Sequence, residues 1–219
     1  MISSIIFDFD GVIVDSERLH WAAFNQVLNQ PVSWEDYIET LIGFDDRDAF
    51  KHLLPTLGKN ELDALIKQKA AAFQELLADG GAAALPGAVD LIKHLSGQLP
   101  IAICSGALRE DIVPIIGKLG VADAFDTIVT ADDTHISKPD PAPYSKAWNQ
   151  LAGRFNLQAS DIAHGVAIED TPAGIASAKG AGLKVLAVTN SYDRSYLAEA
   201  DVVVDSLEGL TLEKLNGLF

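Results

Sequence analysis

The chain has 219 residues, 48% of them apolar, enough to bury a core of ordinary size with room for a smaller inserted domain. Its formal net charge of -15 argues against a general nucleic-acid-binding protein, because no basic surface could neutralise phosphates at contact density. The single cysteine, Cys104, excludes an intramolecular disulfide and is typical of a reducing compartment. Without a signal-like N-terminus or an apolar run long enough for a bilayer, the sequence predicts a cytoplasmic protein with no membrane partner.

The predicted elements begin with a short apolar strand from Ile5 to Phe9. From Ser16 to Ala82 apolar residues recur at helical spacing, and the longest helix is predicted from about Asn60 to Ala78. A Gly/Ala-rich connector, residues 79–84, follows. Beyond it, strands are predicted at 100–104, 124–129, 163–168, 184–188 and 201–204, with helices starting near 107, 141 and 172.

This alternation predicts a parallel sheet with right-handed crossovers. The continuously apolar strands suit a sheet that is covered on both faces. We therefore expect an α/β fold with a doubly wound parallel-sheet, Rossmann-like core formed by residues 1–15 and 83–219. Residues 16–82 form the expected inserted all-helical domain, with hinges near 14–16 and 80–84.

Acidic residues follow two of the predicted strands, and strand ends are where such sheets bind ligands. Asp8 and Asp10 end the first strand, and Glu169 and Asp170 end the fourth. Asp10 and the next glycine could simply make a turn, but Asp8 lies within an apolar strand, where a carboxylate is costly without a partner. Two adjacent acids exceed what a helix cap needs and suit a hard cation.

Small residues follow the second predicted strand, and a lysine follows the third. Ser105, Gly106 and Ala107 open a helix whose free N–H groups could cradle a phosphate, although Ser105 could equally be a simple cap. Lys138 precedes another helix start and could supply a fixed positive charge. Cys104 is expected to be a buried strand residue and not a nucleophile. Together the four strand ends provide a carboxylate nucleophile, a phosphate cradle, a counter-charge and metal ligands.

These four segments resemble, in order, the four motifs of the haloacid dehalogenase (HAD) superfamily. The matching segments are 8–16, 104–106, 138–141 and 169–174, and the helical insertion resembles that superfamily's C1-type cap. The resemblance covers essentially the whole chain. Within the superfamily the sequence is most similar to the branch that holds β-phosphoglucomutase, phosphoglycolate phosphatase and related sugar-phosphate phosphatases.

The resemblance implies that Asp8 attacks phosphorus and becomes an aspartyl-phosphate. Asp10 would protonate the leaving oxygen and then deprotonate the next nucleophile. Ser105 and the backbone amides beside it would hold the phosphoryl oxygens, and Lys138 would pair with Asp8 and the phosphate.

The resemblance also implies a Mg²⁺ ion as cofactor. Its ligands would be the Asp8 carboxylate, the Asp10 backbone carbonyl and the Asp170 carboxylate, with Glu169 in support. Few protein carboxylates combined with a phosphate oxygen and waters suit Mg²⁺. Without the ion and Lys138, these carboxylates would repel an anionic substrate.

A phosphatase and a mutase of the β-phosphoglucomutase type are both compatible with these motifs. His20 stands where that mutase has a histidine, and it could gate the general acid or lie on the helix surface. In the loop 41–48, Gly43 and Arg47 match the mutase, but Ile42 replaces its lysine and three acids crowd the segment. Two bound phosphates would fit poorly there. We therefore predict hydrolysis of a small phosphate monoester, of the sugar phosphate or phosphoglycolate type, with the mutase as the alternative.

Two further alternatives are weaker. A 2-haloacid dehalogenase resembles this fold but lacks the second acid of the first motif, which is present here as Asp10. A non-catalytic binding protein would have lost one of the catalytic positions, and all of them are filled.

The helical domain is expected to close over the site, exclude water and contact the leaving group. His20 and Arg47 are the candidate substrate contacts. The expected partner is a small phosphorylated metabolite, and a monomer is the default expectation. Four aromatic residues of the insertion could line a pocket or pack in its core: Trp21, Phe24, Trp34 and Phe44.

Overall fold

The computed structural model of the protein describes residues 1–42 and 44–219, except for the side chains at positions 79 and 80. Its strands are β1 (Ser4–Phe7), β2 (Val14–Asp15), β3 (Ala83–Ala84), β4 (Ile101–Cys104), β5 (Thr127–Val129), β6 (Gly165–Glu169), β7 (Lys184–Val188) and β8 (Val202–Val204). Its α-helices are α1 (Glu17–Val27), α2 (Trp34–Thr40), α3 (Asp46–Leu53), α4 (Lys59–Gly80), α5 (Ala88–Leu95), α6 (Arg109–Lys118), α7 (Ala142–Phe155), α8 (Pro172–Gly180) and α9 (Leu212–Leu218).

Six strands form one parallel sheet in the order β5-β4-β1-β6-β7-β8. The chain runs outward from β1 through β4 to β5, then returns to the other side of β1 and continues through β6, β7 and β8. The predicted doubly wound parallel sheet is thus confirmed. Its order reverses between β1 and β6, which is where open α/β sheets bind ligands, so the ends of these two strands meet at the expected site.

The sheet is covered on both faces, as the continuously apolar strands predict. On β1, Ile5 and Phe7 belong to one core cluster and Ile6 to the other, and all three side chains are fully buried. The same alternation along β4 and β6 fills both layers. The strand ends are therefore held by packing on two sides, which fixes where their polar residues emerge.

Several predicted boundaries shift where loops begin. The first strand ends at Phe7 because the carbonyl of Phe9 accepts hydrogen bonds from the N–H groups of Ile13 and Val14, which turns the chain. The strand predicted at 124–129 is instead a 3₁₀ turn at Ala122–Ala124 followed by β5. The helix expected from 107 begins at Arg109, which leaves residues 105–108 as a loop at the site.

The segment 79–84, predicted as an irregular connector, is more ordered than that. Residues 79 and 80 continue α4, and β3 pairs antiparallel with β2. The sequence pattern does not show this ladder because each strand has only two residues. Since the chain leaves the six-stranded sheet before β2 and returns to it after β3, the two crossings lie side by side and their backbones pair.

Between β2 and β3 lie α1 to α4, which pack around a cluster centred on Phe24, Tyr37 and Phe50. The division into domains at 15/16 and 82/83 stays a prediction, and the β2–β3 ladder lies at those crossings. Among the described residues, no helix is both long and apolar enough to cross a membrane.

Candidate active site

Asp8 and Lys138 form an ion pair at the end of β1. The Lys138 Nζ lies 2.9 Å from Asp8 Oδ1 and 2.6 Å from Glu169 Oε1, and all three side chains are buried. Burial raises the pKa of Asp8 to about 8, the charge of Glu169 adds to the shift, and Lys138 opposes it. One lysine therefore does not balance the negative charge gathered here.

Glu169 is a fully bonded carboxylate. Its Oε1 accepts hydrogen bonds from Lys138 and from the Tyr144 hydroxyl at 2.6 and 2.8 Å. Its Oε2 accepts from the N–H groups of Asp170 and Thr171 and from the Thr171 hydroxyl, at 3.1 to 3.3 Å. With both oxygens occupied, Glu169 is suited to holding Lys138 in place.

Asp170 is different, because one of its oxygens is free. Ser191 donates a hydrogen bond to Oδ2, whereas Oδ1 is buried and has no partner among the described residues. Carboxylate oxygens of Asp8, Glu169 and Asp170 lie within 4.8 Å of one another. Burial and these neighbouring charges raise the pKa of Asp170 well above its usual range. A hard divalent cation fits this oxygen set and would offset its charge.

Asp10 lies beside the same cavity as Asp8 but has a different environment. The hydroxyl of Ser16 donates to its Oδ1, His20 Nε2 lies 3.2 Å from that oxygen, and Ser105 Oγ lies 3.5 Å from Oδ2. Although burial acts in the opposite direction, the interactions with His20 and the hydrogen bond from Ser16 lower the pKa of Asp10. The two aspartates are thus differentiated by their partners.

Lys69 of α4 is a site residue that the sequence reasoning missed. Its Nζ lies 2.7 Å from His20 Nδ1 and 2.7 Å from Asp46 Oδ1, and the residue is 1% exposed. A signal was present, because Lys69 is three residues after Ile66 and four before Phe73, on the apolar face of the predicted helix. A lysine on such a face needs a buried partner.

This contact determines which nitrogen of His20 carries the proton. An ammonium group only donates hydrogen bonds, so His20 Nδ1 accepts from Lys69. The proton of the neutral ring is then on Nε2, which donates to Asp10. The ring of His20 also stacks on Phe73, with centroids 4.2 Å apart. His20 is therefore an oriented donor to Asp10, and the helix-surface alternative is wrong.

Ser105, Gly106 and Ala107 lie in the loop between β4 and α6. The Ser105 hydroxyl accepts a hydrogen bond from the Ala107 N–H at 2.9 Å, while Gly106 and Ala107 line the cavity that also contains Asp8. Cys104 is buried as predicted, and burial raises the pKa of its thiol to about 12, so it is not a nucleophile.

The cavity measures about 50 Å³, room for a few water molecules. Of the aromatic candidates, Phe24 and Phe44 line it, whereas Trp21 and Trp34 pack edge to face with each other. The described lining is Asp8, Asp10, Glu17, His20, Phe24, Tyr37, Phe44, Asp46, Lys69, Gly106, Ala107, Asp111, Lys138 and Thr171.

Arg47 is not among the described residues of this lining. Its guanidinium pairs with Asp63 at 3.0 Å, and its side chain is 46% exposed. It borders a neighbouring cavity of about 670 Å³ that shares Asp46 and Gly106 with the first. Its contact with substrate stays a prediction, and Gly43 lies outside the described residues.

A family model described as haloacid dehalogenase-like hydrolase matches residues 5–188. Hexitol phosphatase A of Escherichia coli (strain K12) is 31% identical over 212 residues, covering 95% of this chain and 93% of that protein. The residues matched by the family model, 5–188, include all four strand ends that form the site.

Solved structures agree. CbbY from Rhodobacter sphaeroides in complex with phosphate has a TM-score of 0.87 and 26% identity, covering 99% of this chain and all of that one. A CbbY mutant has also been solved in complex with xylulose-(1,5)-bisphosphate. A β-phosphoglucomutase from Clostridium difficile superposes with a TM-score of 0.83 over 100% of this chain and 97% of that one; at 23% identity it supports the fold alone. The chain therefore belongs to the haloacid dehalogenase-like hydrolases and is an enzyme of their phosphatase branch.

Proposed function

We propose that this enzyme hydrolyses a small phosphate monoester, of the sugar phosphate or phosphoglycolate type, through an aspartyl-phosphate on Asp8 and with Mg²⁺ as cofactor. One observation carries the proposal. A lysine-paired carboxylate, Asp8, and a second carboxylate with its own donors, Asp10, line one cavity at the switch point of the sheet. A nucleophile and a proton donor for the leaving oxygen are thus available together.

Asp8, the Asp10 backbone carbonyl and Asp170 would hold the Mg²⁺, with Glu169 in support through Lys138. The partnerless Oδ1 of Asp170 and the negative charge around Asp8 support this assignment. When bound, the ion supplies positive charge that draws the phosphoryl oxygens toward the nucleophile and stabilises charge in the transition state.

In the first step a carboxylate oxygen of Asp8 forms a bond to phosphorus while the bond from phosphorus to the ester oxygen breaks. Asp10 gives that departing oxygen the proton that it takes from water in the second step of the preceding cycle. Lys138 holds Asp8 Oδ1 at 2.9 Å, and among the described residues Asp8 Oδ2 accepts no hydrogen bond. The Ser105 hydroxyl and the Gly106 amide would donate to the phosphoryl oxygens, while the Ala107 N–H donates to Ser105 Oγ.

In the second step a water molecule attacks phosphorus and Asp10 takes its proton. The bond from phosphorus to Asp8 breaks, which releases inorganic phosphate and restores the carboxylate. His20 orients Asp10 in both steps by donating from Nε2, and Lys69 keeps that proton in place. Asp10 thus acts as the acid in the first step and as the base in the second.

The mutase alternative requires a sugar phosphate to take the phosphoryl group from Asp8 in place of water. The acids of the loop that are unfavourable for a second phosphate remain beside the cavities, since Asp46 lines the first and Asp45 and Asp46 line its neighbour. Asp45 accepts the Asp48 N–H at the start of α3, and Asp46 binds Lys69. We therefore retain water as the acceptor. A small phosphorylated partner, cytoplasmic location and a monomeric state stay predictions.

Phosphate release from a panel of phosphate esters, in Mg²⁺ or in EDTA, tests the proposal. The native enzyme is expected to release phosphate only with the metal, and Asp8→Asn to lose at least about 10³-fold in kcat/KM. Asp123→Asn makes the same chemical change at an exposed position outside the cavity lining and serves as the matched control.

Full activity of Asp8→Asn, or of the native enzyme in EDTA, would contradict the mechanism. If β-glucose 1-phosphate is converted to glucose 6-phosphate faster than phosphate is released, the mutase alternative is correct.

A further inference from the structure

Three acidic residues on the described lining lie apart from the nucleophile and its lysine. Glu17 comes from α1, Asp46 from α3 and Asp111 from α6. Glu17 Oε2 accepts from the Tyr37 hydroxyl at 2.7 Å, and Gln74 donates to Asp111 Oδ1. We call Glu17, Asp46 and Asp111 the carboxylate wall.

Each member of the carboxylate wall keeps one oxygen available. Glu17 Oε1, Asp46 Oδ2 and Asp111 Oδ2 accept no hydrogen bond from any described residue. Carboxylate oxygens only accept while ionised, so these three positions favour ligand groups that donate. Hydroxyl groups of a sugar or polyol have that chemistry.

The positively charged side chains described on the same lining are already paired with other residues of the protein. Its described cationic side chains are Lys138, bound to Asp8 and Glu169, and Lys69, bound to Asp46 and His20. The phosphoryl group of the substrate has Lys138 and the proposed Mg²⁺. A second anionic group on the leaving portion would find no cation in this cavity.

The neighbouring cavity is also lined by more acidic than basic side chains. Its described lining has four aspartates, Asp45, Asp46, Asp63 and Asp132, against Arg47 and Lys59. Burial also raises the pKa of Glu17 and of Asp111. An additional anion would either be repelled or force proton uptake, and each response costs binding free energy.

We propose that the carboxylate wall selects a polyhydroxylated leaving group without a second anionic group, so that the substrates are monophosphates of neutral sugars or polyols. This rests on the proposed function and narrows it, since phosphoglycolate and sugar bisphosphates are then poor substrates. It also distinguishes this enzyme from its structural neighbour CbbY, solved with a sugar bisphosphate.

The test compares matched pairs that differ in one anionic group. The pairs are glucose 6-phosphate with 6-phosphogluconate, and fructose 1-phosphate with fructose 1,6-bisphosphate, assayed for phosphate release in Mg²⁺. In each pair the first compound has no anionic group besides the phosphate that is released, and we call it the neutral member; the second is the anionic member. We expect kcat/KM for the neutral member to exceed that for the anionic member by at least about tenfold. An equal or higher value for the anionic member in both pairs would overturn the inference.

Isosteric variants test whether the carboxylate wall is responsible. Glu17→Gln and Asp111→Asn keep an oxygen that accepts from Tyr37 and Gln74, so the local hydrogen bonds persist. Each is expected to lower the ratio of kcat/KM for the neutral member to kcat/KM for the anionic member about threefold or more. Glu39→Gln removes one charge from an exposed position on the neighbouring α2 and should leave the ratio unchanged. An unchanged ratio in both wall variants would contradict the assignment.

Binding to Asp8→Asn, measured by calorimetry with Mg²⁺, separates this inference from the proposed function. If the native enzyme hydrolyses none of the esters while Asp8→Asn binds the neutral members more tightly, the proposed hydrolysis is contradicted and the selection is supported. Hydrolysis with equal or tighter binding of the anionic members would support the hydrolysis and contradict the selection.

Discussion

The proposed proton donor, Asp10, is held by a row of hydrogen-bonded side chains that runs from the loop after β1 into the helices between β2 and β3. His20 donates to Asp10, Lys69 donates to His20, and Asp46 accepts from Lys69. Lys69 therefore acts on the reaction through another residue, as a positioning group. Its removal should affect the proton transfer more than the attack by Asp8.

We predict that Lys69→Met lowers kcat/KM for alkyl phosphate esters by about 10²-fold. The effect on p-nitrophenyl phosphate should be much smaller, because that leaving group departs as an anion without a proton. The measurement is kcat/KM for both ester types, together with the NMR signals of the His20 ring nitrogens, which report the tautomer.

Lys67→Met makes the same change on an exposed position of α4 and should alter neither readout. An equal loss on both esters, with the His20 tautomer retained, would indicate that Lys69 is merely structural.

At the scale of elements, the start of α8 is packed against the Glu169 carboxylate. A Cβ added at Gly174 would lie 1.9 Å from that group. Glu169 cannot move aside easily, because five hydrogen bonds hold its two oxygens. The close approach of helix and strand end thus sets the position of Lys138, and through it that of Asp8.

We predict that Gly174→Ala lowers the free energy of unfolding by about 1–3 kcal/mol through overpacking. Phosphate release should also fall at least about tenfold, because a displaced Glu169 no longer holds Lys138. Urea unfolding and the ester assay measure the two effects.

Gly153→Ala is the control, since nothing lies within 4 Å of a Cβ added there, inside α7. It should be neutral or stabilise by about 0.5–1 kcal/mol. Similar behaviour of the two variants would contradict the account of Gly174.

At the scale of the whole molecule, the acidity of the chain makes its stability depend on metal and pH. Without metal, the pKa of Asp8 is raised from its ordinary 3.8 to about 8 by burial and by the charge of Glu169. Between these values the folded protein binds more protons than the unfolded chain. The stability that Asp8 contributes is therefore fully present below about pH 4 and is lost as pH rises through about 8.

We predict that, in EDTA, stability attributable to Asp8 falls by up to about 1.4 kcal/mol per pH unit across this window. Mg²⁺ binds the ionised carboxylates, so the stabilisation by Mg²⁺ relative to EDTA should grow with pH. The measurement is urea unfolding of the native chain and Asp8→Asn at several pH values, since their difference isolates Asp8. Parallel pH dependences of the two proteins in EDTA would contradict the prediction.

The sequence by itself determined that the chain forms a parallel sheet, the order of the main strands and helices along the chain, and the four polar strand ends. These features are local, because they depend on apolar periodicity and on residues adjacent to a strand terminus. The family and its phosphatase class follow from the same segments. For this reason the sequence alone identified four of the candidate site residues, which are Asp8, Asp10, Lys138 and Asp170. Their roles stay proposals.

Only the tertiary structure decided which distant residues complete the site. Lys69 and Asp111 are 61 and 103 residues from Asp8 in the chain, and nothing in local pattern brings them to the same cavity. Packing of the helical segment against the sheet likewise decides three other features: the orientation of His20, the surface position of Arg47 and the β2–β3 ladder. Packing between segments far apart in sequence decides such contacts, because their energies come from burial and charge pairing that exist only in the folded chain.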